Sequence, residues 1–270
     1  MSTKVFLISY TPDIERVCAS AMKSCYSSKA AHYLYLDKEG FPDGEVKRMI
    51  KKALELGHVD VLEHGSLTFS IEGVSRSLTH QLVRHRIASY SQQSQRHVSV
   101  KKDTEWYVIP PSILKERGKF QLNGKVYEME FAEFMKIISD YYASLLEKVR
   151  KEDARFVLPN ATKTNITMTT NPRELRHIFS LRCDMAAQWE IRDVCWAMHA
   201  LCYLIAPTIF STLDPPAGSV KESLENFEIM KRIVDEQRNL FERAKAGEIV
   251  KINLEEMKLE HKVEAFVIKK

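Results

Sequence analysis

The chain has 270 residues, 44% of them hydrophobic and 28% charged, with nine Gly, nine Pro and a formal net charge of +4. This composition excludes a disordered chain, a collagen and a small disulfide scaffold, and so few Gly and Pro argue against an all-β protein of many tight turns. The charge excess is too small to imply nucleic acid but suits anionic small ligands.

Val5 to Ile8 predicts a short strand. A helix follows, with Thr11 as N-cap and Pro12 at the first helical position, running to about Ser24. Asp43 to Leu56 carries Val46, Met49, Ile50, Ala53 and Leu54 at helical spacing, with Gly57 as C-cap. Leu67, Phe69 and Ile71 alternate with Thr68 and Ser70, the period of a strand. Ser75 to about Arg86 reads as helix. Trp106 to Ile109 reads as a short strand closed by Pro110-Pro111, and Tyr127 to Arg150 as one long amphipathic helix. Ala161 to Thr170 predicts a strand. Pro172 then opens a helix, Gln188 to about Ala206 forms another, and Lys221 to Lys245 forms a charged surface helix. Val263 to Ile268 is an apolar run between charges with no assigned fate.

This order predicts an α+β fold: a single domain with a mixed or antiparallel sheet and several long helices. Residues 1–215 form its body, and residues 216–270 a helical C-terminal extension packed on it or continuing it.

Val194 to Leu213 lacks Asp, Glu, Lys and Arg and is long enough to span a bilayer. His199, Pro207 and several hydroxyls interrupt it, and no basic cluster flanks it, so it reads as a buried core helix. Met1 to Tyr10 reads as a strand rather than a signal peptide. The five cysteines form no C-x-x-C pair, and reduced thiols in a cytoplasmic protein are the expectation. Cys183, Cys195 and Cys202 lie on apolar helices and read as inert core residues.

The chemistry concentrates between Gln81 and Arg96. These sixteen residues hold three Arg, one His and four Gln, and no Lys. Arg in place of Lys favours fixed, bidentate contacts with phosphate or carboxylate. Gln81, Arg84 and His85 would share one face of a continuing helix. Ser89 to Gln95 supplies hydroxyls and amides suited to a polar ring edge. Farther along, Leu175, Ile178, Phe179, Arg182 and Met185 form one stripe at helical spacing, which puts Arg182 on an apolar face. A cation there must find an anion: either a buried partner such as Asp184 or Glu190, or a ligand. Arg176 lies off that stripe, so its loss should be nearly silent in turnover. Asn171-Pro172-Arg173 brings free backbone N–H groups and a cation together at a helix start.

Arg84-His85-Arg86, then seven residues, then Ser94 and Arg96, resembles the signature of the flavin-dependent thymidylate synthases. Gly57 to His64, Arg155 to Pro159, Asn171 to Leu175, Leu181-Arg182 and Ala187 to Glu190 also fit that family, as does Ala19 to Ser28. The resemblance covers roughly residues 3 to 210. Family members often carry Ser or Thr at Asp60, Asn at Ser91, Glu at Gln92, and Asn or His at His177.

The resemblance implies that dUMP is methylated to dTMP, with methylenetetrahydrofolate as carbon donor and FAD reduced by NADPH as hydride source. It implies dUMP contacts from Gln81, Arg84, Gln92, Gln93, Ser94, Gln95, Arg96, Arg155 and Arg182. It implies Arg182 as the catalytic residue, favouring ionisation of the pyrimidine N3. FAD contacts are implied for Asp60, Glu63, Arg84, His85, Arg86, Gln92, Asn171, Arg173 and His177, with Cys25 near the flavin. It also implies a homotetramer whose FAD sites lie between subunits.

Two other classes compete. One is a nucleotide- or RNA-binding module using the Arg84 to Lys102 patch. The other is a metal-dependent phosphohydrolase using His58, Asp60, His64 and His85. The histidine spacing suits no standard metal site, so no metal is expected. No G-x-G-x-x-G follows a strand, and no Pro-Cys-Gln nucleophile setting occurs.

Overall fold

The computed structural model describes residues 2–100, 105–214 and 221–268. Its first strand, β1 (Thr3–Tyr10), buries Val5 and Leu7 and leaves alternate residues more open. Helix α1 (Ile14–Ser24) follows. It starts later than the expected Thr11 cap, because the Thr11 hydroxyl accepts from Ser66 N (3.0 Å) and ties the end of β1 to the next strand instead. Asp13 takes the N-cap position with a left-handed φ of 47°. A short helix α2 (Ala31–Leu36) has no counterpart in the sequence reading. Helix α3 (Asp43–Leu56) ends at Gly57, whose φ of 72° is the left-handed cap that Gly supplies at least cost.

A 3₁₀ turn (Val59–His64) leads into β2 (Leu67–Ser75). Helix α4 (Arg76–Leu82) is capped by the Ser75 side chain, which accepts from Leu78 N. It stops four residues before the expected end. The Arg84-His85-Arg86 segment is therefore a turn, and the helical-face argument for Gln81, Arg84 and His85 fails. Strand β3 (Ala88–Gln92) follows, in a stretch too polar to announce itself. Trp106 to Ile109 makes only one bridge, Tyr107 to Thr162, rather than a strand.

The expected helix from Tyr127 begins instead as a hairpin of β4 (Arg117–Leu122) and β5 (Lys125–Glu130). Asn123 and Gly124 turn it with φ of 49° and 76°, the left-handed pair that a two-residue hairpin loop requires. Helix α5 (Phe131–Leu146) then starts with a capping box between Glu130 and Glu133. After a single turn α6 (Lys151–Ala154), strand β6 (Lys163–Thr170) and helix α7 (Pro172–Arg182) follow as expected.

Helix α8 (Trp189–Ile205) is buried from Glu190 to Ile205, and among the described residues no helix is long and apolar enough to cross a membrane. The charged C-terminal helix divides into α9 (Lys221–Glu236) and α10 (Asn239–Lys245). Strands β7 (Val250–Ile252) and β8 (Val263–Val267) close the fold, so the unassigned apolar run is a strand. The expected 215/216 boundary lies outside the described residues.

The main sheet has the order β3-β6-β2-β1-β8-β7. All of its pairings are antiparallel except β1 with β8, which is parallel, so the sheet is mixed as expected. The core sits between this sheet and α8, with α1, α3 and α7 completing it.

Candidate active site

Strand β3 pairs with β6 at the sheet edge, and the predicted ligand residues gather around its two ends. At its start, the Tyr90 hydroxyl lies 2.9 Å from the carbonyls of both Leu82 and His85, which pins the Arg84-His85-Arg86 turn against the end of α4. The turn splits its three side chains. Arg84 and Arg86 are exposed, and His85 is 5% exposed.

Helix α7 packs beside this turn. Arg182, in its last turn, donates from Nε to Nε2 of His85 (3.1 Å). Glu174, also buried, places Oε1 3.7 Å from His85 Nδ1. The His177 ring meets the His85 ring edge-on at 6.0 Å. Burial, with Arg182 and His177 beside it, pushes the His85 imidazole down to about 4, so it is neutral near pH 7. Burial likewise raises the Glu174 carboxyl.

Asn171 caps α7 by accepting from Glu174 N (2.9 Å). Arg173 pairs with Glu63 of the 3₁₀ turn (2.5 Å). Asp60, on the same turn, is exposed, as is His177. The two residues considered as buried partners for Arg182 are otherwise engaged. Glu190 accepts from the Ser75 backbone N–H (2.7 Å) and hydroxyl, and Asp184 accepts from Ala186 N (2.8 Å).

The second cluster lies past the other end of β3. A cavity of about 220 Å³ is lined by Gln93, Ser94, Gln95, Arg76, Trp106 and Lys163, among others. Arg76 donates to the Gln93 carbonyl (2.8 Å). Arg96 pairs with Glu152 (3.1 Å), and Arg155 donates to the Glu152 carbonyl (3.1 Å), so one residue gathers both predicted cations. Phe156, next to Arg155, is 83% exposed. Gln92 points inward and donates to Thr79 Oγ1 (2.8 Å). Gln81 donates to the Ser77 carbonyl (3.3 Å).

The two clusters do not close on one another within the chain. Arg84 and Arg182 belong to the first, and Gln93 to Arg96 with Arg155 to the second, while Gln81 meets Ser77 of its own helix. The five residues of β3, roughly 16 Å of strand, lie along the chain between the two. Arg76, Lys163, Glu174 and Tyr90 escaped the sequence reading. Arg76 carried a signal, a cation directly after the Ser75 cap, whereas Glu174 looked like an ordinary first-turn acid.

His58, Asp60 and His64 are exposed and His85 is buried against Arg182, and among the described residues no three His, Cys, Asp or Glu side chains gather as a metal site. Lys101 and Lys102 of the basic patch lie outside the described residues. Cys25 is exposed, while Cys18, Cys183, Cys195 and Cys202 are buried. Burial pushes the Cys195 thiol up to about 12, which makes it inert as a nucleophile.

Residues 6–208 match the family described as "Thymidylate synthase complementing protein". A flavin-dependent thymidylate synthase of Geobacter sulfurreducens is 45% identical over 213 residues, covering 78% of this chain and 87% of that protein. Another, from Clostridium tetani, is 42% identical over 224 residues, covering 80% and 88%. This chain belongs to the flavin-dependent thymidylate synthase family. A crystal structure of the UMP/dUMP methylase PolB from Streptomyces cacaoi, bound with 5-Br dUMP, shares the fold, with a TM-score of 0.62 at 22% identity. It covers 78% of this chain and 94% of that one.

The residues around α7 suit a flavin of this family. Arg84 and Arg86 are exposed cations that pair with no carboxylate among the described residues. They stand on the turn that His85 fixes to α7, near a helix start whose backbone N–H groups favour anions. That donor set fits a pyrophosphate.

Proposed function

We propose that the protein methylates dUMP to dTMP, taking the carbon from methylenetetrahydrofolate. FAD, reduced by NADPH, supplies the hydride when bound, so that tetrahydrofolate leaves intact. The observation that carries this reading is the Arg182 guanidinium, held on buried His85 beside a turn that presents two free arginines.

Arg84, Arg86, Arg173 and the start of α7 hold the flavin, with Asp60, Glu63, Gln92, Asn171 and His177 around them. Gln81, Arg84, Gln92 to Arg96 and Arg155 hold the nucleotide. Arg182 donates along the pyrimidine edge and favours the N3 anion, which raises electron density at C5. A guanidinium suits this task because it keeps its charge and its planar fork.

The separation of the two clusters supports a homotetramer in which one subunit's Gln93 to Arg96 segment completes the Arg182 cluster of another. Residues 216–270 act as part of the same domain, and the enzyme is cytoplasmic.

The test is purification, FAD titration and reduction by NADPH, followed by dTMP assay with dUMP and methylenetetrahydrofolate. Yellow protein that bleaches with NADPH and forms dTMP is expected. Protein that neither retains FAD nor binds it on titration overturns the reading. Arg182→Ala should keep flavin binding and reduction while losing about 10²–10³ in the rate of dTMP formation. A parent rate in that variant at saturating dUMP removes Arg182 from its role.

A further inference from the structure

His85 lies between two charged groups of α7. Its Nε2 stands 3.1 Å from Arg182 Nε, and its Nδ1 3.7 Å from the Glu174 carboxylate. An arginine Nε always carries hydrogen, so the imidazole Nε2 must accept. The ring proton therefore sits on Nδ1, facing a carboxylate that is itself buried. The ring has little freedom to turn. It is 5% exposed, its backbone carbonyl meets the Tyr90 hydroxyl at 2.9 Å, and His177 edges onto it.

Arg182 is only partly buried, and no described carboxylate pairs with it. The guanidinium is planar, so holding Nε sets the plane in which the two terminal NH2 groups project. One of its five N–H donors goes to His85, and the terminal four remain for an outside acceptor.

We infer that His85 is the positioning residue of Arg182: its Nε2 takes the Arg182 Nε hydrogen and aims the free guanidinium fork at the ring edge of the bound nucleotide. This rests on the reading that Arg182 meets the pyrimidine. It assigns the His85 side chain to Arg182 rather than to the flavin, and leaves the flavin to Arg84 and Arg86 on either side.

Two amide variants separate aiming from packing. His85→Gln sets its Oε1 close to the Nε2 position and keeps an acceptor there. His85→Asn places its amide near the Nδ1 position and cannot reach Arg182. Both are polar and smaller than histidine, so lost packing penalises both. The measurement is single-turnover dTMP formation by full-chain enzyme with pre-reduced FAD and saturating dUMP, together with FAD affinity.

His85→Gln should stay close to the parent rate, and His85→Asn should lose about 10–100-fold, the scale of a misaimed group. FAD affinity should hold in both. In the double variant with Arg182→Ala, His85→Asn should add no further loss. Equal losses in the two amide variants, an additive loss in the double variant, or FAD release from both overturns the inference. A parent rate in Arg182→Ala alone overturns the reading beneath it, and the inference with it. Nitrogen-15 NMR of the parent provides a readout independent of turnover and of variant folding. A neutral His85 protonated on Nδ1 is expected, and protonation on Nε2 excludes the contact.

Discussion

His199 sits within α8, stacked on Phe179 at 4.5 Å between ring centroids and on Phe227 at 5.2 Å. Burial pushes its imidazole down to about 3 from the ordinary 6.5. The unfolded chain therefore binds a proton below about pH 6.5 that the folded chain refuses until about pH 3. The sign follows: this group destabilises the fold as pH falls through that window and has no effect above it. At pH 5 the cost is about 2 kcal/mol, one and a half pKa units at 1.36 kcal/mol each. His199→Leu keeps an apolar side chain in the cage and removes the proton. Between pH 7.5 and pH 5, its Tm should fall less than the parent's by about 4–8 °C, at 2–4 °C per kcal/mol for a chain of this size. Parallel Tm–pH curves would show that the buried imidazole is not the acid-sensitive group. At the site, burial holds His85 down to about 4, so it stays neutral and keeps its acceptor role as the pH falls from 7 to about 5.

At the scale of the elements, α7 does more than present Arg182. Arg176, read from the sequence as nearly silent in turnover, has a side chain only 12% exposed. It donates to the Ile209 carbonyl (2.7 Å), Thr212 Oγ1 (3.1 Å) and Asp214 (2.5 Å), which clasps α7 to the segment after α8. Losing these charge-assisted bonds should cost about 1.5–3 kcal/mol. Arg176→Ala should therefore melt earlier while its folded fraction binds FAD and forms dTMP normally; lost turnover at full stability would contradict the clasp. The Arg182 stripe was legible as far as α7 runs, because Leu175, Ile178 and Phe179 are buried and periodicity reports burial directly; Met185, the last expected member, lies past the helix end and is exposed. Helix α3 and strands β2 and β6 were legible for the same reason. Strand β3 was not, since Ser89 and Ser91 are exposed and the strand buries little. The β4–β5 hairpin was missed although Asn123-Gly124 is its standard turn signal, because the helical pattern from Phe131 was extended backwards across Tyr127. The end of α4 is tertiary in origin. No cap residue stops the helix; Tyr90, eight residues on, takes the Leu82 and His85 carbonyls into its own hydrogen-bond reach.

Across the whole molecule, the chain's two ends meet in the sheet. Strand β8 lies parallel to β1, with Thr3 N donating to the Lys262 carbonyl (3.2 Å) and Ile268 N to the Leu7 carbonyl (3.0 Å). Nothing in the apolar run Val263 to Ile268 identifies that partner, since a parallel pairing across 260 residues leaves no local mark in the sequence. The approach to β8 is fixed by one side chain of the central helix. Asp193, fully buried, accepts through Oδ2 from Glu260 N (2.8 Å), His261 N (2.9 Å) and His261 Nδ1 (2.8 Å). Its neighbour Arg192 pairs with Glu260. Asp193→Ala removes the acceptor and strands two backbone donors, at about 1–3 kcal/mol each. Asp193→Asn keeps an oxygen at the Oδ2 position for those donors, loses only the charge, and should cost less. The loss should appear first in β8 rather than across the sheet, because this anchor leads directly into that strand and its outer neighbour β7 spans only three residues, whereas β2 and β6 lie beyond β1. In hydrogen exchange of Asp193→Ala, amides of Val263 to Val267 should lose protection while those of Leu67 to Ile71 and Ile166 to Thr170 keep theirs. Uniform loss over all three strands would mean that Asp193 supports the core as a whole, and unchanged β8 amides would mean that strand pairing with β1 holds the end of the chain without it.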